Sequence, residues 1–345
     1  MPKKPVVRKV QFTGKSTFVV SLPKGWTERI GIQKGDSVSL AEEDDGSINI
    51  FPIGRRNIEY KANLKLSEQE QIDIERWVLS AYLAGADHII LKSKTQMDRE
   101  TRKAVNNAVG RLTGLEIVEE NTKKIICQSL IETTRMKIET SLRRAFLVVP
   151  QMLEDAIKVL RGEDDKIEDV KKCEETLDRF CFLMTRQLHV AQRHPKLLRE
   201  MGMKRTEILD YFPLVRSLER IGDRCLLITE LCDIYNRKAL NIPEEVLESI
   251  SHSGKRISNL LRTGREAFFK LDLISGNHVV EQARSMRNGL FEIDIKLREF
   301  EVEVALLLSA VIDSIIRMTA YVSDLGEIII DRAVSKTLGL VEEEK

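Results

Sequence analysis

Two heptapeptides carry the side chains with the most chemical potential: Leu218-Glu219-Arg220-Ile221-Gly222-Asp223-Arg224 and, more weakly, Tyr321-Val322-Ser323-Asp324-Leu325-Gly326-Glu327. They lie roughly a hundred residues apart, a spacing that suggests a duplicated unit. Around the first, Leu214, Leu218, Ile221, Cys225, Ile228 and Cys232 alternate spacings of four and three, the core-facing stripe of a helix. At about 100° per residue, Glu219, Asp223 and Glu230 then project from the other side, with Arg216 beside them. Around the second, Val311, Ile315, Met318, Val322, Leu325 and Ile329 form the stripe, and Asp324, Glu327 and Asp331 lie opposite. Carboxylates one helical turn apart can share a hard or borderline cation through oxygen ligands.

Acids turned away from a core are ordinarily just solvated, and an acid-rich chain contains several such pairs by chance. Three features raise the cation reading above that background. Gly222 and Gly326 sit mid-helix at equivalent points, where glycine costs about 1 kcal/mol and therefore signals close packing. The acids recur in both copies. Leu227 shares the acidic face of the first copy, which is unusual for fully solvated surface.

The elements that must hold these helices follow from periodicity. From Ile131 onward glycines are few and a 3.6-residue period persists. One helix is expected over 134–161, kinked at Pro150; a second runs to about Gln192 and a third ends near Arg237. Asn241-Ile242-Pro243 opens a second set at roughly 243–270, 276–301 and 304–336. Two tandem three-helix bundles result, 131–241 and 242–338, followed by a frayed acidic tail at 339–345. Ahead of them, 53–130 alternates strand and helix patterns. Strands are expected at 58–61, 88–91, 115–118 and 124–127, with a helix opened by Ser67-Glu68-Gln69-Glu70 and another over 98–112. This is a small α/β connector with no motif for chemistry, and His88 reads as packed at a strand start rather than as a ligand.

Residues 1–52 differ in character. Val7 to Phe12 and Thr17 to Leu22 read as strands, Trp26 to Ile30 as a helical turn after Pro23, and Ser37–Leu40 and Ile48–Phe51 as a hairpin. So small a piece cannot bury a sufficient core alone, so it is expected to dimerise. The formal net charge is only +1, yet residues 1–34 hold eight bases (Lys3, Lys4, Arg8, Lys9, Lys15, Lys24, Arg29, Lys34) against one acid, Glu28. The fold class is thus α+β multidomain: a small β domain, an α/β connector and a mostly helical remainder.

Two resemblances follow from these residues. Lys9-Val10-Gln11-Phe12-Thr13-Gly14-Lys15-Ser16, Val20-Ser21-Leu22-Pro23-Lys24 and Gly31-Ile32-Gln33-Lys34-Gly35-Asp36-Ser37-Val38 resemble the SpoVT/AbrB-like swapped-hairpin domain, also found in MazE-type antitoxins. That resemblance implies interlocked hairpins of two chains with basic loops offered to DNA, which makes Arg8, Lys9, Lys15 and Lys24 candidate contacts. Lys and Arg release counterions from the phosphate backbone, and Arg can also read guanine. Some members of that family bind proteins instead, and a basic strand edge also protects against aggregation.

Arg216 to Arg224, closing a tandem three-helix repeat, resembles the PhoU family of phosphate-uptake regulators. The resemblance implies iron or zinc held by E(D)xxxD motifs on the bundle surface. Glu219 and Asp223 match the motif, and Glu174 with Asp178 fits the companion pair on the preceding helix. The second copy departs from it, since Ser323 stands opposite Glu219; Asp324, Glu327 and Asp331, with Asp294 from the neighbouring helix, remain candidate oxygen donors. The whole arrangement is similar to archaeal phosphate uptake regulators. It implies either a DNA-binding homodimer or higher oligomer that senses metal or phosphate status, or an adaptor that docks on a phosphate transporter or sensor kinase.

Other classes fit poorly. The longest apolar stretch, Val304 to Ile312, is too short for a bilayer, and Met1-Pro2-Lys3-Lys4 leads into no signal-type apolar run. The five cysteines are odd in number and lack CxxC spacing, which reads as buried thiols in a reducing cytoplasm. Di-metal bundle enzymes need Glu-x-x-His pairs, and no histidine here has an acid three residues before it. No nucleophile elbow, P-loop or dinucleotide glycine motif is present either. The sequence therefore reads as a regulator rather than an enzyme.

Overall fold

The computed structural model describes residues 5–14, 16–42, 46–53, 59–66, 73–131 and 136–337, the side chains of 294–296 and 298 excepted. The chain divides into two units, Met1–Ile58 and Glu59–Lys345.

In the first unit, β1 (Gln11–Thr13) and β2 (Thr17–Val19) pair antiparallel with Phe12 opposite Phe18, their rings edge-on at 5.2 Å. Helix α1 (Lys24–Ile30) follows Pro23 and stops at Gly31, whose φ of 67° is the left-handed conformation that favours glycine. β3 (Val38–Glu42) and β4 (Ile48–Pro52) make a second antiparallel ribbon. The first two strands are shorter than their alternating sequence suggested. No described residue of this unit is buried, and Val7, Phe12, Phe18, Leu40 and Ile48 are exposed. Isolated two-stranded ribbons are marginal in water.

The second unit opens with a four-stranded sheet in the order β5-β6-β8-β7, built from β5 (Lys61–Leu66), β6 (His88–Ser93), β7 (Leu115–Glu120) and β8 (Lys124–Ser129). β5 and β6 are parallel because α2 (Ile74–Leu83) crosses between them; the other pairs are antiparallel. The first strand lies at 61–66 rather than 58–61, since only there do Ala62, Leu64 and Leu66 turn inward against outward Lys61, Asn63 and Lys65. Asp73 caps the described start of α2 by accepting from Arg76 N at 2.9 Å. The expected opening at Ser67 lies outside the described residues. Asp98 caps α3 (Arg99–Arg111) through Thr101 N at 2.7 Å.

Helices α4 (Ile138–Leu160), α5 (Ile167–Arg193), the short α6 (Pro195–Glu200), α7 (Ile208–Ile234), α8 (Glu244–Lys270), α9 (Leu273–Lys296) and α10 (Val302–Ser335) complete the unit. The two tandem sets of three helices share one apolar core, which runs unbroken from Ile138 to Ile329. The reason is that α4 packs on α8 and α7 on α10, so each set of three buries its apolar face against the other. Arg332 on α10 ties the two sets. It meets Glu207 at 2.9 Å and Asp210 at 3.4 Å while lying over the rings of Tyr211 and Phe268.

The mid-helix glycines are contact points. A Cβ on Gly222 would stand 2.3 Å from Leu177 Cδ2 on α5, and one on Gly326 would stand 2.8 Å from Gly276 O on α9. The second clash is with backbone, which has little room to move. Gly326→Ala is therefore expected to lower stability by about 1–3 kcal/mol in urea unfolding. Gly110→Ala, in exposed helix with nothing within 4 Å, is expected to raise it by up to about 1 kcal/mol.

Helix α5 also fixes the sheet to the bundle. Phe182 joins the sheet's own core of Val78, Tyr82, Ile89, Leu91 and Leu115. Arg186, 2 % exposed, donates to Tyr82 O at 2.9 Å, Ala86 O at 2.8 Å and Asp87 Oδ1 at 3.2 Å. Arg193 donates to Ala84 O at 2.7 Å. No described helix is long and apolar enough to cross a membrane. All five cysteines are free, and burial raises the Cys127 thiol to about 11 and Cys232 to about 12, so neither is a ready nucleophile.

Candidate functional site: a carboxylate cluster on two helices

Because Gly222 lets α7 approach Leu177, the acids flanking these two positions are brought together. Oxygens of Glu174 and Asp178 on α5 and Asp223 on α7 all lie within 4.8 Å of one another. Asp178 is buried, Glu174 half-buried and Asp223 exposed, so the cluster opens at its edge. Glu219 lies one turn earlier on α7 and is bonded to Arg216. Its side chain is only 13 % exposed, unlike the solvated face the helical period suggested. From the end of α3, Arg111 Nη2 donates to Asp178 Oδ2 at 2.7 Å.

Burial disfavours the charged form of each of these acids, against the pull of the arginines around them. Burial, then the charge of Asp178, pushes the Glu174 carboxyl up to about 7. Burial likewise raises Asp178, against the pull of Arg111, and raises Glu219 and Asp223. All four charged forms are disfavoured together, the condition a bound cation relieves. The donor set is all oxygen, which suits hard cations such as Mg2+ and Mn2+ and is also used by Zn2+. The Arg111 guanidinium already stands in for a cation against Asp178.

The Glu174 shift has a definite sign. An acid whose folded pKa exceeds its unfolded value of about 4.3 holds its proton more tightly when folded. Stability from it is complete below that value and is lost as pH rises through about 7. With chelator present, Glu174→Gln is expected to be more stable than wild type at pH 8, and the gap should close by pH 4. A pH-independent gap in urea midpoints would contradict the assignment.

The second copy is built differently. Gly326 faces Val280 as Gly222 faces Leu177. Counting from these pairs, Asn277, Glu281, Ser323 and Glu327 occupy the places of Glu174, Asp178, Glu219 and Asp223. Asn277 Nδ2 donates to Glu281 at 2.9 Å, and Arg284 Nη2 holds Glu327 at 2.8 Å. Two carboxylates remain, one of them already paired. Asp324 and Asp331 are exposed, and burial followed by the charge of Glu327 raises Asp324. The Asp294 side chain is outside the described residues. Its helix position, well beyond Val280 on α9, puts its backbone roughly 21 Å further along by the helical rise. Sequence reasoning chose Asp294 and passed over Glu281, whose place after Val280 mirrors that of Asp178 after Leu177. Among the described residues only the first copy brings three metal-type donors together.

Of the candidate DNA contacts, Arg8 and Lys9 are exposed ahead of β1, and Lys24 is exposed at the start of α1, 3.7 Å from Glu28. Lys15 lies outside the described residues. Neither Arg111 nor Arg186 was singled out from the sequence, and no local spacing marks either of them.

Comparison with known proteins bears on both halves. Residues 142–232 match the PhoU domain, a span that contains Glu174, Asp178, Glu219 and Asp223. Residues 11–57 match the antidote-toxin recognition domain of MazE, a bacterial antitoxin. No curated protein matches the chain. Among solved structures, PhoU from Pseudomonas aeruginosa is similar at 13% identity and a TM-score of 0.47, over 58% of this chain and 96% of that one.

Proposed function

From a chain that carries a PhoU domain behind a MazE-antitoxin-type domain, we propose a regulator of phosphate uptake whose N-terminal unit binds DNA and whose carboxylate cluster reports a divalent cation. The observation that carries this reading is the convergence of Glu174, Asp178 and Asp223 inside the PhoU span. Converging carboxylates whose charged forms burial disfavours gain from a bound cation, and a cation preferring one arrangement of the helices can bias the rest of the chain. At the other end, the excess of bases in residues 1–34 suits a polyanion. The exposed apolar surface of the ribbons suits a homodimer, which would offer two such basic faces to an operator.

The adaptor reading stays alive on one observation. The N-terminal match is to a domain described by protein recognition rather than by DNA. The two readings separate in one assay: binding of the full chain to DNA upstream of phosphate-transporter genes, across a salt series, with Mn2+ or Zn2+ and with chelator. A regulator gives sequence-preferring binding that weakens steeply with salt. Its slope should fall by about one unit for each of Lys9→Ala and Lys24→Ala that removes a phosphate contact. Absence of sequence preference in every condition overturns DNA regulation and favours an adaptor that docks on a transporter or sensor kinase.

A further inference from the structure

Arg111 is the one residue of the sheet layer that reaches the carboxylate cluster by a described hydrogen bond, and it does so from the last position of α3. Its guanidinium donates to Asp178 at 2.7 Å, and its charge is felt by Glu174 as well as by Asp178. The side chain itself is 55 % exposed, so it is held by this ion pair rather than locked by packing. It lies 5.8 Å over the Phe182 ring and lines a cavity of about 210 Å³ between α2, α3 and α5. That cavity also carries Glu75, whose charge acts on Arg111, and Asp73, which Arg76 pairs at 3.6 Å. Arg111 therefore has acids on both sides: the cluster on one, and the α2 acids across an open space on the other.

The second anchor behaves differently. Arg186 is buried and spends its donors on Tyr82 O, Ala86 O and Asp87. Arg186 keeps the sheet on α5 throughout, whereas Arg111 can let go without detaching it.

We propose that Arg111 is a tethered cation of the Glu174–Asp178–Asp223 cluster, and that a divalent cation bound there displaces it and frees the end of α3. This inference rests on the reading that the cluster takes a cation. The physical ground is simple competition. Asp178 has a second oxygen, so the two cations do not exclude each other by space; a metal draws on the same carboxylate charge that holds the guanidinium at 2.7 Å, and the two positive charges repel. Reciprocity then follows, so the contact that weakens cation binding is the contact that cation binding breaks. The second copy lacks such a competitor from the sheet layer among the described contacts, and its own Arg284 holds Glu327 within the repeat.

The test uses the full chain and Mn2+ alone, with wild type, Arg111→Ala and Asp178→Asn compared by calorimetric titration and by hydrogen exchange. Arg111→Ala is expected to bind Mn2+ roughly tenfold more tightly, in the usual range for coupled sites. In wild type, Mn2+ should speed exchange across 107–115; in Arg111→Ala that segment should already exchange fast and ignore Mn2+. Saturable binding to wild type that Asp178→Asn loses, with affinity and exchange unchanged in Arg111→Ala, overturns the tethered cation and leaves the cation site standing. Saturable binding to none of the three overturns the cation reading itself, and the inference with it.

Discussion

Replacing Phe12 and Phe18 together by Ser is expected to abolish the homodimer proposed for the N-terminal unit and to leave a monomer in which that unit is frayed. The two rings stack edge-on across β1 and β2 and are 59 % and 73 % exposed, and no described residue of the unit is buried beneath them. A ribbon of three-residue strands has no means of stabilising that geometry within one chain. A second copy can supply the missing layer, because two-fold pairing doubles every apolar contact. Burying four such rings at up to about 1.5–3 kcal/mol each is a gross gain that must exceed the several kcal/mol lost in bringing two chains together. Sedimentation of the wild type at micromolar concentration should give the dimer mass, and the double variant the monomer mass with an intact helical circular-dichroism signal. A variant that keeps the wild-type mass would show that another surface holds the chains together, and would leave these exposed rings without a partner.

In the proposed function the same interface would control how the bases meet DNA. One unit offers Arg8, Lys9 and Lys24 on an exposed surface, a small electrostatic footprint. Two units related by a two-fold axis offer it twice, and affinity for a palindromic site then depends on both. Loss of the dimer should therefore weaken DNA binding more than loss of any one base.

How far these features could be read in advance depended on how local their causes were. The stripe Leu214-Leu218-Ile221-Cys225-Ile228-Cys232 specifies a helix and its buried face through neighbours three and four residues away, and all six are buried in α7. Gly31 and Asp98 mark helix ends for equally local reasons. The meeting of Glu174 and Asp178 with Asp223 needed a long-range cause, the close approach at Gly222, and the glycine itself was visible mid-helix. Asp294 was misjudged because the pairing of α9 with α10 fixes which turn of α9 faces Gly326, and that register is set by Gly276 and Val280. That the two tandem bundles share one core is likewise a matter of which helices of different copies pack together, and periodicity within one helix carries no such information. Arg111 and Arg186 escaped notice for the same reason, since their acceptors lie 67 to 104 residues away in the chain.

Arg186→Met is expected to cost about 3–5 kcal/mol, more than any other single change considered, and to release the sheet layer while the bundle stays folded. The guanidinium is 2 % exposed and sits over the Tyr82 ring at 4.9 Å. Burial lowers its pKa, so the protein holds a charge there at a cost that its acceptors offset. Methionine fills similar volume but removes the donor to Ala86 O and one of the two donors to Tyr82 O, which keeps Gly85 N at 2.9 Å, and an orphaned buried acceptor costs about 1–3 kcal/mol. Tyr82 ends the last turn of α2 and Ala86 lies in the loop to β6, so the damage concentrates where the parallel pair β5 and β6 is joined. Arg186→Lys should recover only part of the loss, because one ammonium on a flexible stem cannot reproduce a planar fork that reaches two carbonyls and Asp87 together. Hydrogen exchange separates this from general destabilisation. Protection should fall across α2, β5 and β6 and persist in α4, α7 and α10. Equal loss in all of them would mean that the sheet and the helices unfold as one body, and that Arg186 holds up the whole unit rather than the joint between its layers.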